Sequence, residues 1–157
     1  MQFIQIDDEN DILFHKAYVM LCEIFPEMMP YWAFKNYSVT VGLNHENNCV
    51  AFMLYRCSDD VIDDDDDSSK KSLNIASIGV DPKYRRQGIA DLYIKWIKNL
   101  FPQYSLNLHV SVRNIGAIKL YENNGFKISK TKKNYYDETN FEPYVKEGVD
   151  AYEMLCD

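Results

Sequence analysis

The chain has 157 residues, with 24 acidic and 17 basic side chains and a formal net charge of −7. The excess is local: seven aspartates lie between Asp59 and Asp67, and the remaining 17 acids balance the 17 bases. At 46% hydrophobic and 14% aromatic, the chain is too apolar for overall disorder and long enough for one domain with a core. No apolar run reaches the ~18 residues of a membrane span, so no membrane partner is expected. The acidic start, Met1 to Asn10, lacks the basic region of a signal peptide. No basic stripe points to nucleic acid. Cys22, Cys49, Cys57 and Cys156 have neither CxxC nor metal-ligand spacing, which predicts reduced thiols, a cytoplasmic location and no metal.

In chain order, Gln2 to Ile6 reads as a strand. Asn10 to Phe25 reads as a helix with Ile12, Leu13, Val19, Met20 and Ile24 on its apolar face, stopped by Pro26. Residues 26–36 form an apolar loop or a short second helix. Tyr37 to Leu43 and Cys49 to Cys57 make a hairpin across the turn-like residues 44–48. The acid-rich insert 58–71 reads as a solvated loop. Leu73 to Val80 alternates poorly and should be a central strand. Gly88 to Leu100 is a helix, with Ile89, Leu92, Tyr93, Trp96, Ile97 and Leu100 on one face. Leu106 to Val112 is a strand, and Asn114 to Asn124 a helix capped by Asn114 and stopped by Gly125. Phe126 to Lys130 and Gly148 to Cys156 are late strands, with a long loop at 137–147. One mixed α/β domain over 1–157 follows.

The sharpest chemical signal is Gly79-Val80-Asp81-Pro82-Lys83-Tyr84-Arg85-Arg86-Gln87-Gly88-Ile89-Ala90. A buried strand ends, a proline turn follows, and a helix opens at glycine. The first turn of a helix has unpaired N–H groups and a positive dipole end. Gly88 and Ala90 leave that backbone approachable, and Arg85 and Arg86 stand beside it. The arrangement suits a pyrophosphate, although a basic loop before a helix can also be only a solvated turn.

Arg85-Arg86-Gln87-Gly88-Ile89-Ala90 resembles the acyl-CoA signature of the GNAT N-acetyltransferase superfamily, (Arg/Gln)-x-x-Gly-x-(Gly/Ala). A second element, Asn114-x-x-Ala117-x-x-x-Tyr121-x-x-x-Gly125-Phe126, also resembles that superfamily. Leu108-His109-Val110, the run Thr131 to Tyr136, and Ile24-Phe25-Pro26 resemble N-terminal peptide acetyltransferases of the NatE catalytic-subunit and RimI type. The resemblance implies a GNAT fold: a mixed, mostly antiparallel central sheet of about six to seven strands with about four helices.

It also implies acetyl transfer from acetyl-CoA, the co-substrate, to a primary amine. Ile78, Gly79 and Val80 would line the pantetheine arm, with the Val80 N–H as oxyanion donor. Arg85, Arg86, Gln87, Gly88, Ile89 and Ala90 would hold the pyrophosphate. Asn114, Ala117 and Tyr121 would complete the cofactor site, with Tyr121 as general acid to the leaving thiolate. His109 is the expected general base, directly or through water. Phe25, Pro26, Tyr31, Tyr135 and Tyr136 would contact a peptide acceptor. Read without the resemblance, His109 can equally be a satisfied sheet histidine, and Tyr121 a core aromatic. The NatE pattern has a catalytic Tyr in Leu-Tyr-Ile, where this chain has Leu73-Asn74-Ile75. An amide accepts no proton near neutral pH, so the base role rests on His109 and water. A peptide or protein N-terminus is the expected partner. Small-amine acetylation is the alternative and a non-catalytic acyl-CoA-binding domain the third reading, with a monomer or homodimer expected.

Overall fold

The computed structural model describes residues 1–25, 29–58, 71–136 and 148–157. Among the described residues, seven strands and four helices run β1 (Gln2–Ile6), α1 (Ile12–Ile24), α2 (Tyr31–Phe34), β2 (Ser38–Leu43), β3 (Cys49–Ser58), β4 (Lys71–Val80), α3 (Ile89–Leu100), β5 (Tyr104–Ser111), α4 (Ile115–Asn123), β6 (Lys127–Tyr136) and β7 (Val149–Cys156). The strands form one sheet in the order β1-β2-β3-β4-β5-β7-β6. Every neighbouring pair is antiparallel except β4 and β5, which are parallel and joined across α3. The expected mixed, mostly antiparallel α/β sheet is what the chain forms.

Two apolar layers cover the sheet. On one face, Ile89, Tyr93, Ile94 and Ile97 of α3 and Ile118 of α4 pack against Met53, Leu73, Ile75, Leu106 and Leu108. On the other, Phe14, Ala17, Met20 and Leu21 of α1 and Phe34 of α2 pack against Val39, Val41, Phe52 and Leu54. Alternation along β4 and β5 therefore sends Leu73, Ile75, Leu106 and Leu108 toward α3, and Asn74, Asn107 and His109 toward α1.

The helix faces differ from the expected ones. Ile12 and Val19 of α1 are exposed, as are Leu92 and Leu100 of α3. The sheet contacts a narrower stripe than the hydrophobic count suggests, and Phe14, Ala17 and Ile94 occupy it instead. β6 runs six residues beyond the expected Lys130. Its Lys-rich sequence hides the strand because β6 is an edge, where charged side chains face water and block further pairing. The expected acidic insert 58–71 begins and ends on paired strand residues, Ser58 and Lys71; Ser58 is in register with Ser72. Residues 59–70 lie outside the described chain, as do those of the expected loop 137–147.

A buried polar contact ties the helix layer to the sheet. The Tyr93 hydroxyl donates to Thr40 Oγ1 at 2.8 Å. Tyr93→Phe should lower unfolding free energy by about 1–2 kcal/mol, because the Thr40 hydroxyl is left dry and unpaired. Adding Thr40→Val should recover part of that loss, measured by urea denaturation.

Candidate active site

β4 and β5 pair from Lys71↔Tyr104 to Ile75↔Leu108 and no further. β4 continues to Val80, while β5 continues against β7 as far as Ser111↔Ala151. The strands therefore part in the middle of the sheet. A bulge at this point places Ala76 as an extra residue between the pairs Leu54↔Ser77 and Tyr55↔Ile75, which bends β4 away.

Beyond the parting, one side of β4 has no strand partner. The Asp81 N–H donates to the Val50 carbonyl at 2.9 Å. Antiparallel residues alternate between facing the partner and facing away. With Asp81 and Gly79 turned toward β3, the N–H and C=O of Val80 and Ile78 face the gap. Gly79 is required here: a Cβ would run into the Phe52 ring.

Asp81 caps the 3₁₀ turn Pro82–Tyr84 through the Lys83 N–H. Two left-handed residues, Arg86 (φ 63°) and Gly88 (φ 77°), then turn the chain into α3. Nothing lies within 4 Å of where a Gly88 Cβ would be, so the helix N-terminus opens to solvent. The Arg85 side chain is not free: its Nε–H donates to the Val80 carbonyl at 3.0 Å. Arg86 and Gln87 are exposed, and Ile89 is buried beneath the first turn. A helix start with open backbone N–H groups and an adjacent Arg86 can hold a pyrophosphate.

α4 reaches the same region from the α3 side. Asn114 Oδ1 accepts the Ala117 N–H at 3.1 Å, so Asn114 acts as the helix cap, as read from sequence. Asn124 closes the far end and reaches across to Asp91 Oδ1 of α3 at 2.9 Å, fixing one helix to the other. Tyr121 lies between these anchors against Phe126, with ring centroids 5.7 Å apart. Burial pushes its phenol up to about 12. Packing around α4 withholds water from the phenolate and so holds the phenol above its ordinary 10.

His109 lies on the opposite face. Its Nε2 is buried and has no hydrogen-bond partner among the described residues. A satisfied structural histidine would have one, so the atom is available to a substrate or water. Tyr135 stacks on the imidazole at 4.5 Å, and Tyr136 stands perpendicular to Tyr135 at 5.0 Å. Both tyrosines sit at the end of β6 rather than in a loop. Burial, then the Lys132 ammonium, lowers the His109 pKa; Glu153, its register partner on β7, acts in the opposite direction. The imidazole is thus neutral at pH 7, as a base must be.

Phe25 is exposed at the end of α1. Pro26 lies outside the described residues. Tyr31 packs into an aromatic cluster with Phe14, Tyr18 and Phe34, and nothing links it to His109. One pair escaped the sequence reading. Asn74 Nδ2 donates to Asn107 Oδ1 at 2.6 Å, across the last register but one before the strands part. Only the parallel register, which is non-local, brings them together. Among the described residues no group of three or more His, Cys, Asp or Glu could hold a metal, and no helix is long and apolar enough to cross a membrane.

Comparison with known proteins identifies the fold and the family. An N-alpha-acetyltransferase of Saccharolobus solfataricus is 31% identical over 140 residues, covering 82% of this chain and 78% of that protein. N-alpha-acetyltransferase 50 of Danio rerio is 37% identical over 71 residues; the match covers 43% of this chain and only 42% of the relative. Arabidopsis thaliana Naa50, solved with the bisubstrate analogue CoA-Ac-MVNAL, shares the fold at TM-score 0.74 and 22% identity, with 99% of this chain and 97% of that chain covered. The Escherichia coli ribosomal-protein-S18-alanine N-acetyltransferase shares it at TM-score 0.67 and 22% identity, with 99% and 93% covered. Residues 9–126 match the profile of the acetyltransferase (GNAT) family, and the chain belongs to this family.

Proposed function

We propose that the chain transfers the acetyl group of acetyl-CoA to the N-terminal amine of a peptide or protein. The observation that carries this reading is the parted edge of β4, with an open helix N-terminus at its end and an unpartnered buried imidazole nitrogen on the other face of the sheet. The donor would run along Ile78, Gly79 and Val80 as an added strand, with its pyrophosphate over the first turn of α3 from Gly88 to Ala90 and Arg86 beside it. The acceptor would enter from the α1 face, against Tyr135 and Tyr136.

In this reading the amine must lose a proton to attack the thioester carbon. His109 Nε2 takes it, directly or through water. The tetrahedral oxyanion is met by the Ile78 N–H, which points into the gap near the parting of the strands and needs no reorganisation, rather than by the Val80 N–H, which lies at the pyrophosphate end of the edge. As the C–S bond breaks, the nitrogen passes its second proton to water, the sulfur leaves as thiolate, and Tyr121 donates a hydrogen bond to it. The stacked tyrosines beside His109 and the N-alpha-acetyltransferase relatives support an N-terminal acceptor over a small amine.

The deciding measurement is release of CoA thiol against a panel of N-terminal peptides beside spermidine, lysine and an aminoglycoside. We expect the best peptide to exceed every small amine by at least about 10-fold in kcat/KM, about 1.4 kcal/mol of transition-state preference. A small amine that matches it would reassign the acceptor. No thiol release with any amine, despite measurable acetyl-CoA affinity, would make this an acyl-CoA-binding domain.

A further inference from the structure

Three polar side chains of the α1 face lie where β4 and β5 part. Asn74 and Asn107 are register partners one pair short of the end of the ladder, and Asn74 Nδ2 donates to Asn107 Oδ1 at 2.6 Å. That bond fixes both amides and leaves Asn74 Oδ1 without a donor among the described residues. His109 follows Asn107 on the same face, one side-chain repeat of about 6.8 Å along β5. Its buried Nε2 also has no partner among the described residues. The next residue of β4 on this face is Ala76, a single methyl packed at the edge of the α1 layer. Two open acceptors, an amide oxygen and an imidazole nitrogen, thus border the parting beside a small residue. One nitrogen that donates to both, at about 2.9 Å each, spans roughly that repeat.

We propose that Asn74 selects primary amines: its Oδ1 holds one N–H of the acceptor nitrogen while His109 takes another as a proton, and Asn107 is the positioning residue that fixes Asn74. The inference rests on the proposed transfer to an acceptor that enters from the α1 face.

A primary ammonium brings three N–H bonds, and each has a destination. His109 Nε2 takes the first as a proton, which frees the lone pair that forms the N–C bond with the thioester carbon. The second proton passes to water as the C–S bond breaks and its electron pair departs with the sulfur as thiolate. The third stays on nitrogen in the product amide, and this is the one that Asn74 Oδ1 holds from arrival to release. A secondary ammonium, as at an N-methylated N-terminus, brings two and gives up both, so none remains for Asn74. An amide oxygen suits the role because it accepts the hydrogen bond without taking the proton. Bonded to Asn107, it also needs no reorganisation during attack.

The test measures kcat/KM by thiol release from acetyl-CoA with the best peptide acceptor and with the same peptide methylated on its N-terminal nitrogen. The native protein should prefer the primary amine by at least about 10-fold. Asn74→Ala empties the space and Asn74→Leu fills it; each should lose about 10-fold with the primary amine and stay within about 3-fold with the methylated one. Asn107→Ala should show the same selective loss. The double variant Asn74→Ala/Asn107→Ala should lose no more than about 3-fold beyond either single, because the two amides act as a unit. Acetyl-CoA affinity within about 3-fold of native confirms that each variant is folded. A native protein that uses both acceptors equally well, or variants that lose equally with both, would overturn the inference while the acceptor site stands; the pair would then only tie β4 to β5. Opposite effects of Asn74→Ala and Asn74→Leu would make the effect one of volume and overturn it too. If a small amine is turned over and no peptide is, the peptide reading falls separately, and the same comparison with that amine and its N-methyl derivative decides the role of the pair.

Discussion

His109→Ala should lower kcat by about 100-fold, the usual scale for losing a positioned general base, while acetyl-CoA affinity changes by less than about 3-fold. The same substitution should abolish the acid limb of the pH–rate profile. The position of that limb in the native protein follows from the surroundings of the ring. Burial and the Lys132 ammonium both disfavour the imidazolium, so the folded pKa lies below the ordinary 6.5. A base works in its neutral form, so activity should hold as pH falls through 6.5 and decline only below it. Lys132 lies 3.7 Å from Glu153, and Glu153 pulls the imidazole the other way. Lys132→Met removes the opposing cation and leaves Glu153 unmatched, so the limb should move to higher pH. A profile that is the same in all three proteins would return His109 to the sheet as a structural residue.

The surroundings of His109 also mark the limit of what the chain order discloses. The residue was legible as a candidate because its neighbours resemble a known context. The sequence could not show that Nε2 is buried without a partner among the described residues, since that depends on packing by Tyr135, about 26 positions away in a different strand. The helix-opening segment 85–90 was legible for a different reason. Its chemistry is carried by backbone groups at a glycine turn, and a turn is written in consecutive residues. Even there, the destination of the Arg85 side chain was hidden, because the Val80 carbonyl is open only when β5 departs. The Asn74–Asn107 contact is a third case. Each asparagine alone reads as a polar strand residue, and the parallel register of two strands separated by α3 makes them a pair.

The charge distribution becomes simpler in the fold. The acidic insert joins Ser58 to Lys71, and Lys71 begins β4 while Val80 ends it. Ten residues of strand span about 30 Å, several times the roughly 8 Å Debye length at physiological salt. The aspartate run is attached at the far end of β4 from Arg85 and Gly88. The points where the acidic insert joins the described chain are therefore far from the end of the gap where the proposal places the anionic donor.

Tyr121→Phe should lower kcat by about 10- to 100-fold and leave acetyl-CoA affinity within about 3-fold. Its mechanism differs from proton transfer between groups of matched acidity. With a phenol pushed up to about 12 and a free thiol near roughly 8.5, full transfer from Tyr121 to the departing thiolate is strongly uphill. The thiolate is the better place for the negative charge. What Tyr121 can supply is a short hydrogen bond to that charge as it develops, worth about 1.5–3 kcal/mol for an ionic acceptor. Such a bond is stronger to the departing sulfur than to the neutral thioester, so its loss falls on kcat rather than on binding. The phenol stays protonated throughout the range from pH 6 to pH 10. The native profile should therefore show no alkaline limb from Tyr121, and the phenylalanine variant should run parallel to it at a lower rate. An alkaline limb near pH 9–10 that disappears in Tyr121→Phe would show a titrating phenol and restore proton transfer. Unchanged turnover would leave Tyr121 as packing for α4 against Phe126.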